Sequence, residues 1–181
     1  MKRFVRMTLL RGYGCTVVVL LAVLAWPSEG WSRTARRACD VKPIVMALLT
    51  NWTKKLAEST PQKTEPIVGT YEPVRAVLLP TCANGPLIGH SQIKGYFEGF
   101  LKDQPRGEID TRAASIGGDC EFGFASGLYT FKLNGGTGPE LLARYTFIFH
   151  RTASGWLIAQ HHSSLEPVPR TGVPVAGCAP H

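Results

Sequence analysis

Residues 143–164 read ARYTFIFHRTASGWLIAQHHSS, and this stretch decides the fold. Tyr145, Phe147 and Phe149 alternate with Arg144, Thr146, Ile148 and His150, the period of two that belongs to a strand with one face buried. Thr152-Ala153-Ser154-Gly155 supplies a turn, with Gly155 suited to a positive φ, and residues 156–164 resume as a second strand. The expected unit is a long antiparallel hairpin. Neighbours on a strand point to opposite faces, so His161 and His162 cannot both face one pocket. Strict alternation groups His162 with Trp156, Ile158, Gln160 and Ser164, and His161 with Leu157, Ala159 and Ser163.

Upstream of the hairpin, residues 108–116 and 121–133 read as two further strands, with Gly123, Ser126 and Gly127 marking a bend or bulge in the second. A glycine-rich turn over 134–138 joins them to the hairpin. Earlier still the period becomes helical. Asp40 can cap a helix whose apolar face is Ile44, Val45, Leu48, Leu49, Trp52 and Leu56, ending before Pro61. Asn51-Trp52-Thr53 has the spacing of a glycosylation acceptor. It lies inside this helix with Trp52 on the buried side, which makes the match a chance one. Residues 66–71 form a short helix or turn, 76–80 a short buried strand, and Asn84-Gly85 a tight turn. Ser91 is placed to cap another helix carrying Ile93, Tyr96, Phe97, Phe100 and Leu101 on one face and stopping before Pro105. Its aromatic face reads as core more than as a ligand platform. Helices followed by long strands indicate the α+β class, a curved antiparallel sheet wrapped over the first helix as a cone with a pocket at its open end.

Of the 181 residues, not all belong to that fold. Lys2, Arg3, Arg6 and Arg11 precede an apolar run over 15–26 and then Pro27-Ser28-Glu29-Gly30, the layout of a secretory signal peptide over residues 1–30. The run falls short of the ~20 residues of a membrane-spanning helix, and an uncleaved anchor is the alternative reading of the same stretch. Residues 31–38 read as a flexible arm, 39–167 as one domain, and 168–181 as a disordered tail rich in Pro, Gly and Val. The formal charge of +7 falls to about +4 without residues 1–30, which hold four basic residues and one acid. No basic stripe appears elsewhere, so nucleic acid is not an expected partner, nor is a membrane once the signal is removed. The mature part keeps Cys39, Cys82, Cys120 and Cys178. An even count in an exported protein invites disulfides, and four cysteines allow three pairings. No cysteine–histidine cluster suggests a metal, and no motif suggests a cofactor.

Four stretches, AVLLPT at 76–81, IKGYFEGFL at 93–101, GLYTF at 127–131 and residues 143–167, resemble in order and spacing the SnoaL-like, nuclear-transport-factor-2-like superfamily. The resemblance is closest to the SgcJ/EcaC family and to the calcium/calmodulin-dependent protein kinase II association-domain family. It implies a cone-shaped α+β barrel that assembles with itself as a homodimer or larger. It implies no fixed chemistry, because the superfamily holds isomerases, cyclases and dehydratases beside pure assembly modules. It further implies a disulfide between Cys39 and Cys120, leaving Cys82 and Cys178 as thiols or as a second bridge. One departure stands out: Val74-Arg75 replaces the acidic residue usual before the first strand.

In such a cone the candidate ligand-binding residues are Arg144, Tyr71, Tyr96 and Tyr129. His162 is the candidate catalytic base, because histidine is the side chain suited to general base catalysis near neutral pH. Arg144 reads either as an anchor for a carboxylate or sulfate or as an exposed or salt-bridged residue at an oligomer face. Asp110, Asp119 and Glu121 are the acids within reach from neighbouring strands. The expectation is an exported homo-oligomeric module for association or for a small hydrophobic or anionic ligand, without catalysis. The alternative is a cofactor-independent pocket enzyme, an isomerase, cyclase, hydratase or nominal SgcJ/EcaC-type oxidoreductase acting on a small hydrophobic substrate.

Overall fold

The computed structural model describes residues 39–166. The leader, the arm, the tail, Cys15 and Cys178 therefore lie outside the described residues. The order is α1 (Val41–Glu58), α2 (Glu65–Val68), β1 (Val77–Leu79), β2 (Leu87–Ile88), α3 (Gly89–Phe100), a 3-10 turn, then β3 (Arg106–Gly118), β4 (Phe122–Lys132), β5 (Glu140–Thr152) and β6 (Gly155–Leu165). The α+β class holds. Six strands form one sheet in the order β2-β1-β6-β5-β4-β3. The four long strands are antiparallel as expected, but β1 runs parallel to β6 and pairs Leu78 with His161. The sheet is therefore mixed and open at both ends, not a closed barrel.

Helix α1 starts at Asp40, whose side chain accepts from the Lys42 N–H and so satisfies one of the first-turn donors. Val41, Val45, Leu49, Trp52 and Leu56 recur at helical spacing and are buried against the sheet. The helix comes close to β4 because Gly123 has no side chain: a Cβ there would lie 2.7 Å from Val45 Cγ2. Ser91 is not the cap of α3. Ile88 holds that position, and its N–H donates to Gln92 Oε1 at 2.7 Å. At the other end of the fold, Gly118 takes φ +133°, a conformation few side-chain-bearing residues adopt, to turn β3 into β4.

Two irregularities shape the sheet; the first lies at Gly127, one of the β4 positions expected to mark a bend or bulge, although the extra residues belong to β3. The ladder between β3 and β4 jumps from Asp110–Leu128 to Ser115–Ser126, so residues 111–114 of β3 bulge opposite Gly127. Between β5 and β6 the register moves from Ile148–Gln160 to Phe149–Ile158, which leaves Ala159 without a partner on β5. This second bulge breaks the expected alternation. Ile158, His161 and Ser163 all point inward, while Gln160 and His162 point outward.

Candidate functional site

An apolar cavity of about 200 Å³ lies between α1, α3 and the inner face of the sheet. Trp52, Tyr96, Phe97, Phe100, Tyr129 and Phe131 supply aromatic wall. Leu78, Leu133, Leu141, Ala143 and Leu165 supply aliphatic wall, and Thr81, Cys82, Asp103, His161 and Ser163 bring polar atoms. Asp103, half-buried in the 3-10 turn after α3, is the one charged residue of this lining.

The inner polar groups form two hydrogen-bonded sets. Trp52 Nε1–H donates to Tyr71 Oη at 3.2 Å, and Tyr71 Oη lies 2.8 Å from His161 Nδ1. Tyr129 O–H donates to Ser163 Oγ, which in turn shares a hydrogen bond with Thr81 Oγ1 at 2.6 Å. The backbone sets Tyr71 in place. Ile158 N–H donates to the Thr70 carbonyl at 2.8 Å, Glu72 N–H donates to the Ile158 carbonyl at 2.9 Å, and His90 Nε2–H donates to the Tyr71 carbonyl at 2.8 Å. On the outer side Glu72 accepts from His150 Nδ1 at 3.0 Å. His161 stacks on Phe147, with ring centres 3.9 Å apart, and meets Trp52 edge-on at 5.3 Å.

Burial governs the protonation of these groups. Loss of solvation pushes His161 down to about 3, helped by the neighbouring His162, so its imidazole is neutral. The same cause raises Tyr71, Tyr96 and Tyr129 well above the ordinary phenol value, so all three keep their protons. The inner wall thus offers neutral hydroxyls and a neutral imidazole.

Of the residues singled out in the sequence, Tyr96 and Tyr129 line the cavity, and Tyr71 supports it from behind through His161. His162 and Arg144 do not reach it. Both are on the exposed face of the sheet, and Arg144 donates to the Leu165 carbonyl at 3.2 Å. Strand alternation turns Ala143 and Tyr145 inward and so turns Arg144 out. Asp110, Asp119 and Glu121 are likewise absent from the lining. Sequence reasoning missed His161, Ser163, Thr81 and Trp52. The adjacent histidines gave the right element, but the unpaired Ala159 decides which neighbours each one keeps. Phe97 and Phe100 serve as core and as cavity wall at once.

Cys39 and Cys120 are brought side by side as thiols in hydrogen-bond contact, and that contact is the chief reason the Cys120 thiol is held above its ordinary pKa. Cys82, at the cavity wall, is disulfide-bonded. Among the described residues no cluster of three or more metal-ligating side chains occurs, and no helix is long and apolar enough to cross a membrane.

No curated protein matches this chain. The family model of the calcium/calmodulin dependent protein kinase II association domain matches residues 42–167. A solved structure from Xanthomonas campestris, provisionally assigned to that same association domain, is 35% identical, covers 68% of this chain and 86% of its own, and superposes with a TM-score of 0.61. A nuclear-transport-factor-2-like protein of unknown function from Pseudomonas putida KT2440 is 13% identical over 77% of this chain and 96% of its own, with a TM-score of 0.60. A protein from Parabacteroides distasonis, provisionally assigned as a ketosteroid isomerase, is 14% identical over 68% of this chain and 86% of its own, with a TM-score of 0.53. The last two share the fold alone. The match over residues 42–167 and the 35% identity show that the chain belongs to the calcium/calmodulin dependent protein kinase II association domain family.

Proposed function

We propose that this chain is an exported, self-associating module that holds a small, mainly apolar ligand in its cavity. The observation that carries the reading is the cavity itself: about 200 Å³ walled by aromatic and aliphatic side chains, with a few buried and mutually bonded polar groups. Such a composition favours binding and orientation of an apolar molecule. Self-association rests on family membership. The exposed face of β5 and β6, bearing Arg144, Thr146, Ile148, Gln160 and His162, is the surface we assign to it. Export rests on the basic and apolar leader, and the bonded state of Cys82 supports an oxidising compartment.

Pocket catalysis by His162 with Arg144 as oxyanion partner is not the reading favoured, because neither side chain reaches the cavity. A thermal-shift screen of small uncharged aromatic and aliphatic compounds tests the binding reading. Stabilisation by cavity-sized apolar compounds, lost when Ala143→Trp fills the space, supports it; a screen without a stabilising compound overturns it. Light scattering after size exclusion tests assembly, with a dimer or larger species expected and a monomer at micromolar concentration counting against it.

A further inference from the structure

The hydrogen-bond chain behind the cavity fixes which nitrogen of His161 carries its proton. Indole Nε1–H is only a donor, so Tyr71 Oη accepts from Trp52. Tyr71 then has one hydrogen to place, and His161 Nδ1 at 2.8 Å is the acceptor for it. The opposite arrangement, with Nδ1–H donating to Tyr71, would leave the buried phenol hydrogen without an acceptor. The neutral imidazole therefore carries its hydrogen on Nε2. That Nε2 is buried and meets no partner among the described residues, although His161 itself is only 3% exposed. An unsatisfied buried donor costs free energy that a ligand acceptor can recover.

Tyr71 covers the Nδ1 edge of the ring and Phe147 one of its faces, which leaves the part that carries Nε2 toward the cavity. His161 lines it, whereas Tyr71 at the Nδ1 edge and Phe147 on the ring face do not. We propose that the cavity selects an uncharged molecule of one ring or a short chain, carrying a carbonyl or ether oxygen that accepts from His161 Nε2–H, with Tyr71 and Trp52 as the positioning residues that hold the imidazole as a donor. This rests on the reading that the cavity binds a small ligand. The size follows from the volume: about 200 Å³ is less than the roughly 300–1,000 Å³ of drug-sized pockets, and a cavity of about 150 Å³ holds a benzene. The charge follows from the wall. No lysine or arginine lines it, Asp103 would repel an anion, and His161 resists becoming a cation. The Tyr129–Ser163–Thr81 set is already joined by two hydrogen bonds among three hydroxyls, so its single spare hydrogen is the rival donor.

Three probes of similar size separate the terms: acetophenone, with a neutral acceptor; ethylbenzene, with none; and benzoate, with a charge. They are titrated into the whole protein labelled with ¹⁵N-histidine, with affinity by calorimetry and the His161 side-chain nitrogens by NMR. The expected result is acetophenone binding at least about tenfold more tightly than either other probe, equivalent to about 1.4 kcal/mol, with the Nε2–H resonance shifting on titration. In His161→Phe the preference over ethylbenzene falls to about twofold or less, while in Ser163→Ala it persists. The wild-type resonance needs no variant to fold. Equal affinity for acetophenone and ethylbenzene, or an unmoved Nε2 resonance on acetophenone binding, overturns the acceptor selection and leaves the cavity reading standing. Tightest binding of benzoate overturns it as well, as does loss of the preference in Ser163→Ala alone. Failure of all three probes to bind overturns both.

Discussion

Tyr71 Oη sits 2.8 Å from His161 Nδ1, joining residues 90 apart in the chain inside the core. Removing that hydroxyl leaves both Trp52 Nε1–H and His161 Nδ1 buried without a partner. Tyr71→Phe is therefore expected to cost about 1–3 kcal/mol of stability, although it deletes no apolar surface. Urea denaturation of wild type and variant measures it. An unchanged midpoint and slope would show that the bond contributes nothing.

His161 also sets a pH dependence. Its folded pKa of about 3 lies below its ordinary 6.5, so between those values the unfolded chain binds a proton that the folded chain refuses. The stability is complete above about 6.5 and falls as the pH drops toward 3, by at most about 1.4 kcal/mol per pH unit from this one group. Replacing His161 with Phe should flatten that acid limb relative to wild type. Stability curves from pH 7 to pH 4 provide the check, and parallel limbs for the two proteins would argue that other groups cause the loss.

We propose that the adjacent Cys39 and Cys120 thiols close into a disulfide on export, giving up two protons and two electrons to a disulfide-bearing thiol oxidant of the receiving compartment. The bond would tie the start of α1 to the β3–β4 turn across a loop of roughly 80 residues, a constraint on the unfolded chain of about 4.5 kcal/mol in the entropic account. Peptide mapping of protein from the periplasm or medium should recover the linked pair, and Cys120→Ser should lower the melting temperature. Alkylation of both thiols in such material would dismiss the bond.

Gly123 is the point where α1 meets β4. An alanine there puts its Cβ 2.7 Å from Val45 Cγ2 and 3.4 Å from Val41 Cγ2, so the helix must shift or its valines rearrange. Gly123→Ala should destabilise by about 1–3 kcal/mol, and the double change with Val45→Ala should restore part of the loss. Thermal denaturation of the four proteins of the cycle reads the coupling.

Arg144 and His162 give the control. Both are exposed on the outer face, so alanine at either should leave cavity ligands bound as in wild type and change monomer stability by no more than about 0.5 kcal/mol. Glutamate at both positions should weaken the assembly, as read by the concentration dependence of the scattering mass. A tenfold loss of ligand affinity in either alanine variant would place these residues in the site after all.

The sequence by itself determined the class, the element order and the family. Those follow from local information: the helical recurrence of Val45, Leu49, Trp52 and Leu56, the period of two through Tyr145, Phe147 and Phe149, and the turn chemistry of Gly155. Local periodicity also turned Arg144 away from Tyr145, as the structure does. Only the tertiary structure decided which residues make the site. A bulge is a mismatch between two strands, so the unpaired Ala159 that places Ile158 and His161 on one face cannot be read from β6 alone. The Trp52–Tyr71–His161 chain gathers three elements distant in sequence, and its energetics depend on burial that no single segment possesses. The parallel pairing of β1 with β6, which brings Leu78 beside His161 and Thr81 near Ser163, is likewise a long-range choice made by packing.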